Sequence, residues 1–429
     1  MNKIITILRF CFKGALLILF ITAGLLPCPG TVDAGWSDRN VREVFSPGGD
    51  IDGEGEEAPP EKSWRDNIRP EPEHKIFATW AYRPLELKEK PPEVTVLAPV
   101  WFFVEDKNGD GIPRLMDVNE LGRKTDIKAY VDKAHSEGAQ VWGTVVSFTP
   151  SLSDALIHTP DLRQEFIDKL VYYVETYGLD GINFDFENMN PLHKLDYTAF
   201  IKECTDVLRP MGVIISVDVT VKADYESLTN WYQCYDHKSL GEVVDYMAVM
   251  TYDEHKNHSG AGPVASIRWV EEKLQGILED VPSDKVLLGI PFYAYDFKST
   301  MIDGNPDMLV PTWSAEKRGV VTVLKSQIDE MLAKDEYIDM NNQKIEIKEW
   351  LVKDEWDDDF GNYYLKFIDQ NDIVHEIWYD EPRSLAEKAR LVKKYHLAGV
   401  AVWRMNFGRP AFWEAIDREL YPEKYNPFP

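Results

Sequence analysis

Residues 178–188 read Gly-Leu-Asp-Gly-Ile-Asn-Phe-Asp-Phe-Glu-Asn, a stretch that predicts a buried strand with polar side chains on one face. Side chains alternate between the two faces of a strand, so Asn183, Asp185 and Glu187 share one face and the apolar residues between them point toward covering helices. Two carboxylates two residues apart perturb each other, which can keep one protonated while the other is charged. Because acidic residues are depleted in strands, the stretch favours a catalytic strand over a solvated strand end.

Short apolar segments recur on both sides of this strand, with amphipathic helical stretches between them. The candidate strands are residues 75–80, 94–101, 139–146, 178–187, 213–219, 244–252, 285–290 and 399–403. Near-continuous apolar strands that alternate with helices are typical of a parallel sheet covered by helices. The pattern predicts an α/β fold, the (β/α)8 TIM barrel, in which chemistry takes place at the carboxyl ends of the strands. Glu187 lies at such an end.

The long interval between the seventh and eighth candidate strands has a pattern of its own. A helix is predicted near 323–333, and strand-like segments at 363–368 and 374–378 flank an Asp-Gln-Asn-Asp turn. We therefore expect a small α+β insertion at about residues 305–380, inside a barrel domain that spans residues 73–429.

The N-terminal region predicts export. In residues 1–34, three basic residues precede the apolar run 14–26, and Val-Asp-Ala at 32–34 is a plausible cleavage site for a signal peptide. The run 4–26 is also long enough to span a membrane, so an uncleaved anchor is the alternative. Residues 35–72 are rich in Gly, Pro and acidic residues and predict a flexible acidic linker. We expect a secreted or cell-envelope-associated, extracytoplasmic protein.

The composition limits the classes of molecule that the chain can bind. With 47 basic and 73 acidic residues the chain has a net charge of −26, which argues against binding to nucleic acid. A neutral polysaccharide is compatible with this charge, whereas a strongly anionic polymer would be repelled unless salt or cations screened it. Beyond residue 34 the cysteines are Cys204 and Cys234. We expect both to be free, with pairing in an oxidising compartment as the alternative.

Residues 106–117 match the spacing of a calcium loop, with oxygen ligands at positions one, three, five and twelve and glycine at position six. However, no EF-hand helix is expected before them, and an Asp-Asn-Gly cluster after a strand is usually a tight turn. We predict a turn, no metal site and no cofactor.

The segment Asp180-Gly-Ile-Asn-Phe-Asp-Phe-Glu187 resembles the D-G-x-D-x-D-x-E signature of glycoside hydrolase family 18, the chitinases and related N-acetylglucosaminidases. Asn183 stands where the family usually has its second Asp. This variant is similar to the branch of bacterial spore-cortex-lytic N-acetylglucosaminidases, which implies a role in spore germination and an association with the spore coat or cell envelope. The S-x-G-G element of the third strand is absent, which affects the expected subsites more than the chemistry.

Two further elements support the resemblance. Met250-Thr-Tyr-Asp253 resembles the family's M-x-Y-D element, which places Tyr252 and Asp253 at the reacting sugar. Trp403 closes the last strand, where the family has a tryptophan beneath the sugar. Independently, indole and phenol rings stack on the C–H faces of sugars, so aromatic residues near strand ends are candidate binding residues. These are Trp80, Trp101, Tyr293 and Trp313, and Arg404 and Asn406 are further candidates to line the cleft.

Structural alternatives exist for these residues. The four aromatic candidates can equally be core or rim packing. Tyr252 can be a rim aromatic and Asp253 a helix cap. Arg404 can be a partner in a surface salt bridge and Asn406 a loop cap.

The resemblance implies substrate-assisted retaining hydrolysis of β-1,4 bonds after N-acetylglucosamine, in peptidoglycan or chitin-like polymers. Glu187 would be the acid and base, Asp185 would stabilise the oxazolinium intermediate formed by the sugar's acetamido group, and Tyr252 would orient that group. The remaining substrate-binding candidates are Asn183, Asp253, Met250, Trp403, Tyr293 and Trp101. With Asn183 the cluster has one charge fewer, so we expect Asp185 to ionise more easily and Asn183 to hydrogen-bond to it.

Two other functions remain open on the sequence. Some barrels of this family have lost activity and act as lectins for chitin or peptidoglycan, and a structural envelope protein would bind no N-acetylglucosamine oligomers at all. Lectins of the family typically lose the terminal Glu, which is present here as Glu187. We expect a monomeric enzyme whose partner is a polysaccharide that contains N-acetylglucosamine.

Overall fold

The computed structural model describes residues 75–82, 84, 86–223, 231–256, 259–312 and 320–425. The predicted signal peptide and acidic linker lie outside these residues. Within the described part, no helix combines the length and apolarity needed to cross a membrane.

Strands and helices alternate along most of the chain. In chain order the strands are β1 (Ile76–Tyr82), β2 (Val96–Glu105), β3 (Arg114–Asp117), β4 (Gln140–Ser147), β5 (Gly181–Phe186), β6 (Ile214–Thr220), β7 (Tyr246–Met250), β8 (Val286–Pro291), β9 (Ala294–Ile302), β10 (Asn305–Pro311), β11 (Val320–Val323), β12 (Glu336–Ile338), β13 (Lys344–Asp357), β14 (Asn362–Asp369), β15 (Ile373–Tyr379) and β16 (Gly399–Trp403). The helices are α1 (Ile127–Ser136), α2 (Pro150–His158), α3 (Pro160–Tyr177), α4 (Lys194–Leu208), α5 (His237–Val243), α6 (Ile267–Leu278), α7 (Lys325–Lys334), α8 (Pro382–Lys394) and α9 (Pro410–Leu420).

Eight parallel strands close into a barrel in the order β1-β2-β4-β5-β6-β7-β8-β16, with β16 paired to β1. Strand β3 is antiparallel to β2 at its outer end. All eight predicted strands are therefore present, and the predicted (β/α)8 barrel is confirmed. The carboxyl ends of the parallel strands lie at one end of the barrel, where active sites of this fold occur.

The barrel closes at Gly399, the first residue of β16. A Cβ at this position would lie 1.9 Å from the carbonyl oxygen of Ile76, so only glycine allows β1 and β16 to pair at this register. Farther along the same pair, the Thr79 hydroxyl donates to the carbonyl oxygen of Val402 at 3.1 Å. Closure brings the carboxyl ends of β1 and β16 side by side at the barrel opening.

Strand β5 is positioned by the helix before it. Helix α3 begins with Pro160 at its first turn and ends at Gly178, whose left-handed backbone (φ 72°) stops the helix and turns the chain into β5. The outward face of β5 packs against helices as predicted. Phe186 lies 6.5 Å from the ring of Phe166 in α3 and 5.9 Å from Phe200 in α4, measured between ring centroids. Burial of each such side chain contributes roughly 1.5–3 kcal/mol.

The insertion between β8 and β16 is an antiparallel sheet in the order β10-β9-β15-β14-β13-β12, with β11 paired to β9, and α7 packs on it. A small core of its own includes Met331 from α7 and Phe367 from β14. The sheet begins at Ala294, earlier than the predicted residue 305, because β9 follows β8 almost directly. The predicted helix and the hairpin of β14 and β15 are present.

Cys204 and Cys234 are both buried and unpaired in the structure.

Candidate active site

The inward face of β5 carries the predicted polar groups. Asn183 and Asp185 are 2% and 6% exposed, and Glu187 lies just past the end of the strand, partly buried. The backbone N–H of Glu187 donates to the carbonyl oxygen of Ser147 at 2.9 Å, which extends the pairing of β4 and β5 to this residue. The acid cluster therefore lies at the carboxyl end of the barrel.

Both polar atoms of the Asn183 side-chain amide are hydrogen-bonded to residues of the neighbouring strand β6. Its Nδ2 donates to Asp218 Oδ2 at 2.9 Å, and the Ser216 hydroxyl donates to its Oδ1 at 2.6 Å. The expected hydrogen bond from Asn183 to Asp185 is therefore absent. Asp218 is a member of the cluster that the sequence analysis missed. Its only signal was an acidic residue inside the apolar run 213–219.

Asp185 and Asp218 form a pair of buried acids on neighbouring strands. Phe184 pairs with Val217 in the parallel register, so the residues that follow them, Asp185 and Asp218, lie side by side. Burial raises the pKa of Asp185, and the charge of Asp218 raises it further. The pKa of Asp218 is also raised by burial, while its hydrogen bond from Asn183 opposes the rise. That Asp185 ionises more easily beside Asn183 than beside an Asp at that position stays a prediction. The structure adds that Asp218 supplies a second acid beside Asp185.

Both acids keep an oxygen available. Asp185 Oδ1 and Asp218 Oδ1 are buried and have no hydrogen-bond partner among the described residues. Buried polar atoms without partners are rare and costly, so such atoms at a strand end indicate a place where a ligand or a shared proton completes the hydrogen bonds.

Glu187 has the electrostatics of a general acid. Its pKa is raised by burial first, and then by the charges of Asp185 and Asp253, while Lys256 opposes the rise. A carboxyl with a raised pKa keeps its proton to higher pH, so it can donate that proton to a leaving group.

Tyr252 and Asp253 follow β7, and a network of phenols holds Asp253. The hydroxyls of Tyr293 and Tyr295 donate to Asp253 Oδ1 at 2.6 and 2.9 Å, and Lys256 Nζ lies 3.9 Å from Asp253 Oδ2. Helix α6 begins at Ile267 with Ser266 as its cap, so Asp253 caps no helix there. Burial raises the pKa of Tyr252, which keeps its hydroxyl protonated and able to donate a hydrogen bond.

Two tryptophans meet at the barrel opening. Trp403 is partly buried at the end of β16, and its ring centroid lies 6.3 Å from that of Trp80 in β1. Trp80 is 4% exposed, and its indole N–H lies near enough to Asp218 to lower the pKa of that carboxyl, although Nε1 makes no hydrogen bond among the described residues. Met250 is partly buried at the end of β7, next to Thr220 of β6 in the pairing register.

Trp101 does not reach this opening. It is fully buried, its ring packs 4.9 Å from Tyr130 of α1, and its indole N–H donates to the carbonyl oxygen of Pro84. A binding role for Trp101 is therefore contradicted, and the core alternative applies because this side chain points outward toward α1. Trp313, another aromatic candidate, lies outside the described residues.

Arg404 and Asn406 follow Trp403. Arg404 is buried, and no carboxylate of the described residues lies within ion-pair distance of it, so the surface salt bridge predicted as its alternative is wrong. Asn406 is exposed in the short 3₁₀ helix Met405–Phe407.

Metal-ligand residues come together at one place in the described part, where single atoms of Asp154, His158 and His193 lie within 4.8 Å of one another. Each is already engaged, because His193 Nδ1 lies 2.8 Å from Asp154 Oδ1 and His158 Nε2 lies 3.3 Å from Asp196 Oδ2. These contacts explain the cluster as paired side chains at the surface.

The calcium-like loop is a turn in the structure. Asp106 accepts backbone N–H groups of Asp110 and Gly111, and Asp110 pairs with Arg114 at 2.8 Å. The carboxylates of Asp106 and Asp110 are thus used within the loop, and Asp117 accepts a hydrogen bond from the Tyr177 hydroxyl of α3.

Most of the barrel, including β5 with its acids, matches a known family. The model for "Glycosyl hydrolases family 18" covers residues 122–408. The chain belongs to this family. Family 18 membership makes the protein a glycoside hydrolase.

Known proteins resemble the chain along much of its length. It is 26% identical over 272 residues to the uncharacterized glycosylase YvbX of Bacillus subtilis, covering 63% of this chain and 70% of that protein. It is 24% identical over 269 residues to the cortical fragment-lytic enzyme of B. subtilis, covering 62% of this chain and 56% of that enzyme. The crystal structure of the Bacillus cereus spore cortex-lytic enzyme SleL has a TM-score of 0.64 at 20% identity, covering 81% of this chain and 74% of SleL, and it supports the fold.

Proposed function

We propose that the protein is a retaining, substrate-assisted hydrolase that cleaves β-1,4 bonds after N-acetylglucosamine in peptidoglycan or chitin-like polymers. The observation that carries this proposal is the position of Glu187, a carboxyl with a raised pKa, directly above the buried pair of Asp185 and Asp218 at the carboxyl end of the barrel.

In the first step, protonated Glu187 gives its proton to the glycosidic oxygen. The carbonyl oxygen of the sugar's own 2-acetamido group attacks the anomeric carbon, the bond to the leaving sugar breaks, and an oxazolinium intermediate forms. The hydroxyl of Tyr252 donates a hydrogen bond that orients the acetamido group. In the second step, Glu187 removes a proton from water, which attacks the anomeric carbon and opens the ring with retention.

Asp185 stabilises the positive charge that develops on the acetamido nitrogen, which requires its ionised form. Asp218 controls this ionisation, because its charge raises the pKa of Asp185. The hydrogen bond from Asn183 keeps Asp218 in position beside Asp185. In this mechanism Asp218 is a positioning residue, since it acts through Asp185.

Peptidoglycan is the favoured polymer in this proposal. It is supported by the cortical fragment-lytic enzyme and SleL among the similar proteins. We propose an extracytoplasmic location, in keeping with the signal-peptide pattern of residues 1–34, where such a polymer is accessible.

The proposal is tested by incubating residues 35–429 with purified peptidoglycan and with chitin oligosaccharides, followed by analysis of the products. Fragments with N-acetylglucosamine at the reducing end, in the β configuration when first released, are expected from the wild type. Glu187→Gln should abolish release, and Glu175→Gln, at an exposed position of α3, is the matched control. Binding without release by the wild type would support the lectin alternative instead.

A further inference from the structure

Arg404 is a buried cation at the barrel opening. It follows Trp403, the last residue of β16, and is 5% exposed. Its guanidinium lies among aromatic rings, with its central carbon 4.3 Å from the ring centroid of Phe407, 5.5 Å from Tyr82 and 5.8 Å from Trp403. Cation–π contacts of this kind stabilise the side chain in part.

These rings leave the charge without an anion. Among the described residues, Arg404 Nε is buried without a hydrogen-bond partner, and no carboxylate lies within 4.0 Å of the guanidinium. Burial lowers the pKa of Arg404 from its ordinary high value, which reflects the same unfavourable environment, although arginine stays charged. Buried arginine normally has an acidic partner, because an unpaired buried charge is costly.

The rings of Tyr82 and Trp403 place this cation on the cleft side of the barrel. Trp80 points inward, since its indole N–H lies near Asp218, and Tyr82 lies two residues farther along β1, so it shares the inward face. Trp403 is in ring contact with Trp80. The guanidinium therefore lies beside the tryptophan pair at the mouth of the cleft.

We propose that Arg404 binds a carboxylate carried by the sugar chain, and that the enzyme's natural substrate is an acidic amino-sugar polymer rather than an uncharged one. A carboxylate matches the planar guanidinium through two parallel hydrogen bonds, and the surrounding rings exclude water and strengthen them. The net charge of −26 disfavours polyanions at the surface, whereas one carboxylate per repeat can be accepted at one buried arginine. This inference rests on the proposed hydrolase function.

The first experiment uses the wild type alone. Residues 35–429 are assayed on a peptide-free glycan of alternating N-acetylglucosamine and N-acetylmuramic acid, and on the same glycan after reduction of its carboxyls to alcohols. We expect KM to be about 10-fold lower for the carboxylate form, the size of a charge-assisted hydrogen bond. Equal KM values for the two glycans would overturn the inference.

Substitutions of Arg404 test whether this residue causes the preference for the carboxylate form. In Arg404→Gln the preference for the carboxylate form should fall from about 10-fold to none, and Arg404→Lys should keep only part of it, because lysine retains the charge and loses the fork. Arg409→Gln is the matched control, since Arg409 lies nearby in sequence and already contacts Asp329. Loss of kcat on both glycans by the same factor in Arg404→Gln would assign this residue to packing.

A failed hydrolase proposal gives a different result. If the wild type releases no product from either glycan, equilibrium binding of the two glycans to the wild type and to Arg404→Gln still tests the inference. Tighter binding of the carboxylate form by the wild type alone supports an acidic-sugar site, and equal binding by both proteins contradicts it.

Discussion

Replacement of Asp218 by Asn would remove one negative charge from the acid cluster and keep the hydrogen bond from Asn183, because the amide oxygen can still accept it. Strands in a sheet are about 4.8 Å apart, so the carboxylates of Asp185 and Asp218 are on the order of 5 Å apart. At an effective dielectric constant of about 20, two charges at this distance repel by about 3 kcal/mol. This corresponds to a change of about two pK units in Asp185.

The predicted change is in the acidic limb of the pH profile of kcat/KM, which reports ionisation of the free enzyme. The pKa of Asp185 is raised by Asp218, so removal of that charge should move the acidic limb to lower pH by one to two units, about what the repulsion above predicts. Asn183→Asp adds a charge and should move it to higher pH. In the double variant with Asn183→Asp and Asp218→Asn, the number of acids is restored and the limb should return close to its original position.

The assay is the initial rate on a soluble N-acetylglucosamine oligomer between pH 3 and 9, with thermal unfolding of each variant as the control for folding. The basic limb depends on Glu187, whose pKa is raised by burial and then by Asp185 and Asp253, so Asp218→Asn should move it much less than the acidic limb. An acidic limb that stays in place in both single variants, or a double variant that shifts as far as either one, would refute this account of the cluster.

Two more residues give tests of the charge distribution. Lys256 lowers the pKa of Glu187, so Lys256→Met should move the basic limb of kcat/KM to higher pH, by about one unit; movement to lower pH would contradict the assignment of Glu187 as the acid. In the insertion, His375 Nδ1 lies 2.9 Å from Asp296 Oδ2, both are buried, and His375→Gln should cost about 3 kcal/mol of unfolding free energy. The pKa of His375 is raised, mainly by Asp296 against burial, so its contribution is complete below about pH 6.5 and is lost as pH rises through the raised value. Asp296 has a lowered pKa because of His375, so its contribution is lost as pH falls through that value. Thermal unfolding of wild type and variant across pH 5 to 9 should show a difference that shrinks at high pH, and a constant difference would contradict this pair.

The barrel was predictable because its strands are apolar on both faces. The polar residues of β5 interrupted this pattern at every second position, and a period of two then placed Asn183 and Asp185 on the inward face. Asp218 was missed because a single acid within an apolar strand gives no sign of the strand beside it. Its role depends on the register between β5 and β6, which the sequence alone does not define.

The tryptophans illustrate the same limit. Trp403 ends β16 and lies at the opening, as predicted. Trp101 was predicted to end its strand, but β2 continues to Glu105 and Trp101 packs outward on α1. A one-residue change in position moves a side chain from the cleft to the helix layer.

The insertion was found only in part for a different reason. Strand β13 has many charged residues, and β9 carries the buried acid Asp296 and the charged Lys298, so neither resembles the apolar strands by which the barrel was recognised. The hairpin of β14 and β15 was recognisable because its apolar residues cluster around a clear turn.

The contact of Tyr295 with Asp253 has a consequence for exchanging parts between enzymes of this family. Tyr295 belongs to β9, the first strand of the inserted sheet, but its hydroxyl serves a carboxylate beside Glu187. A chimera that replaced everything after β8 would remove a hydrogen-bond donor from the reaction centre along with the cleft wall. The natural splice point lies after Tyr295, so the chemical unit of this enzyme extends into what the topology counts as an accessory module.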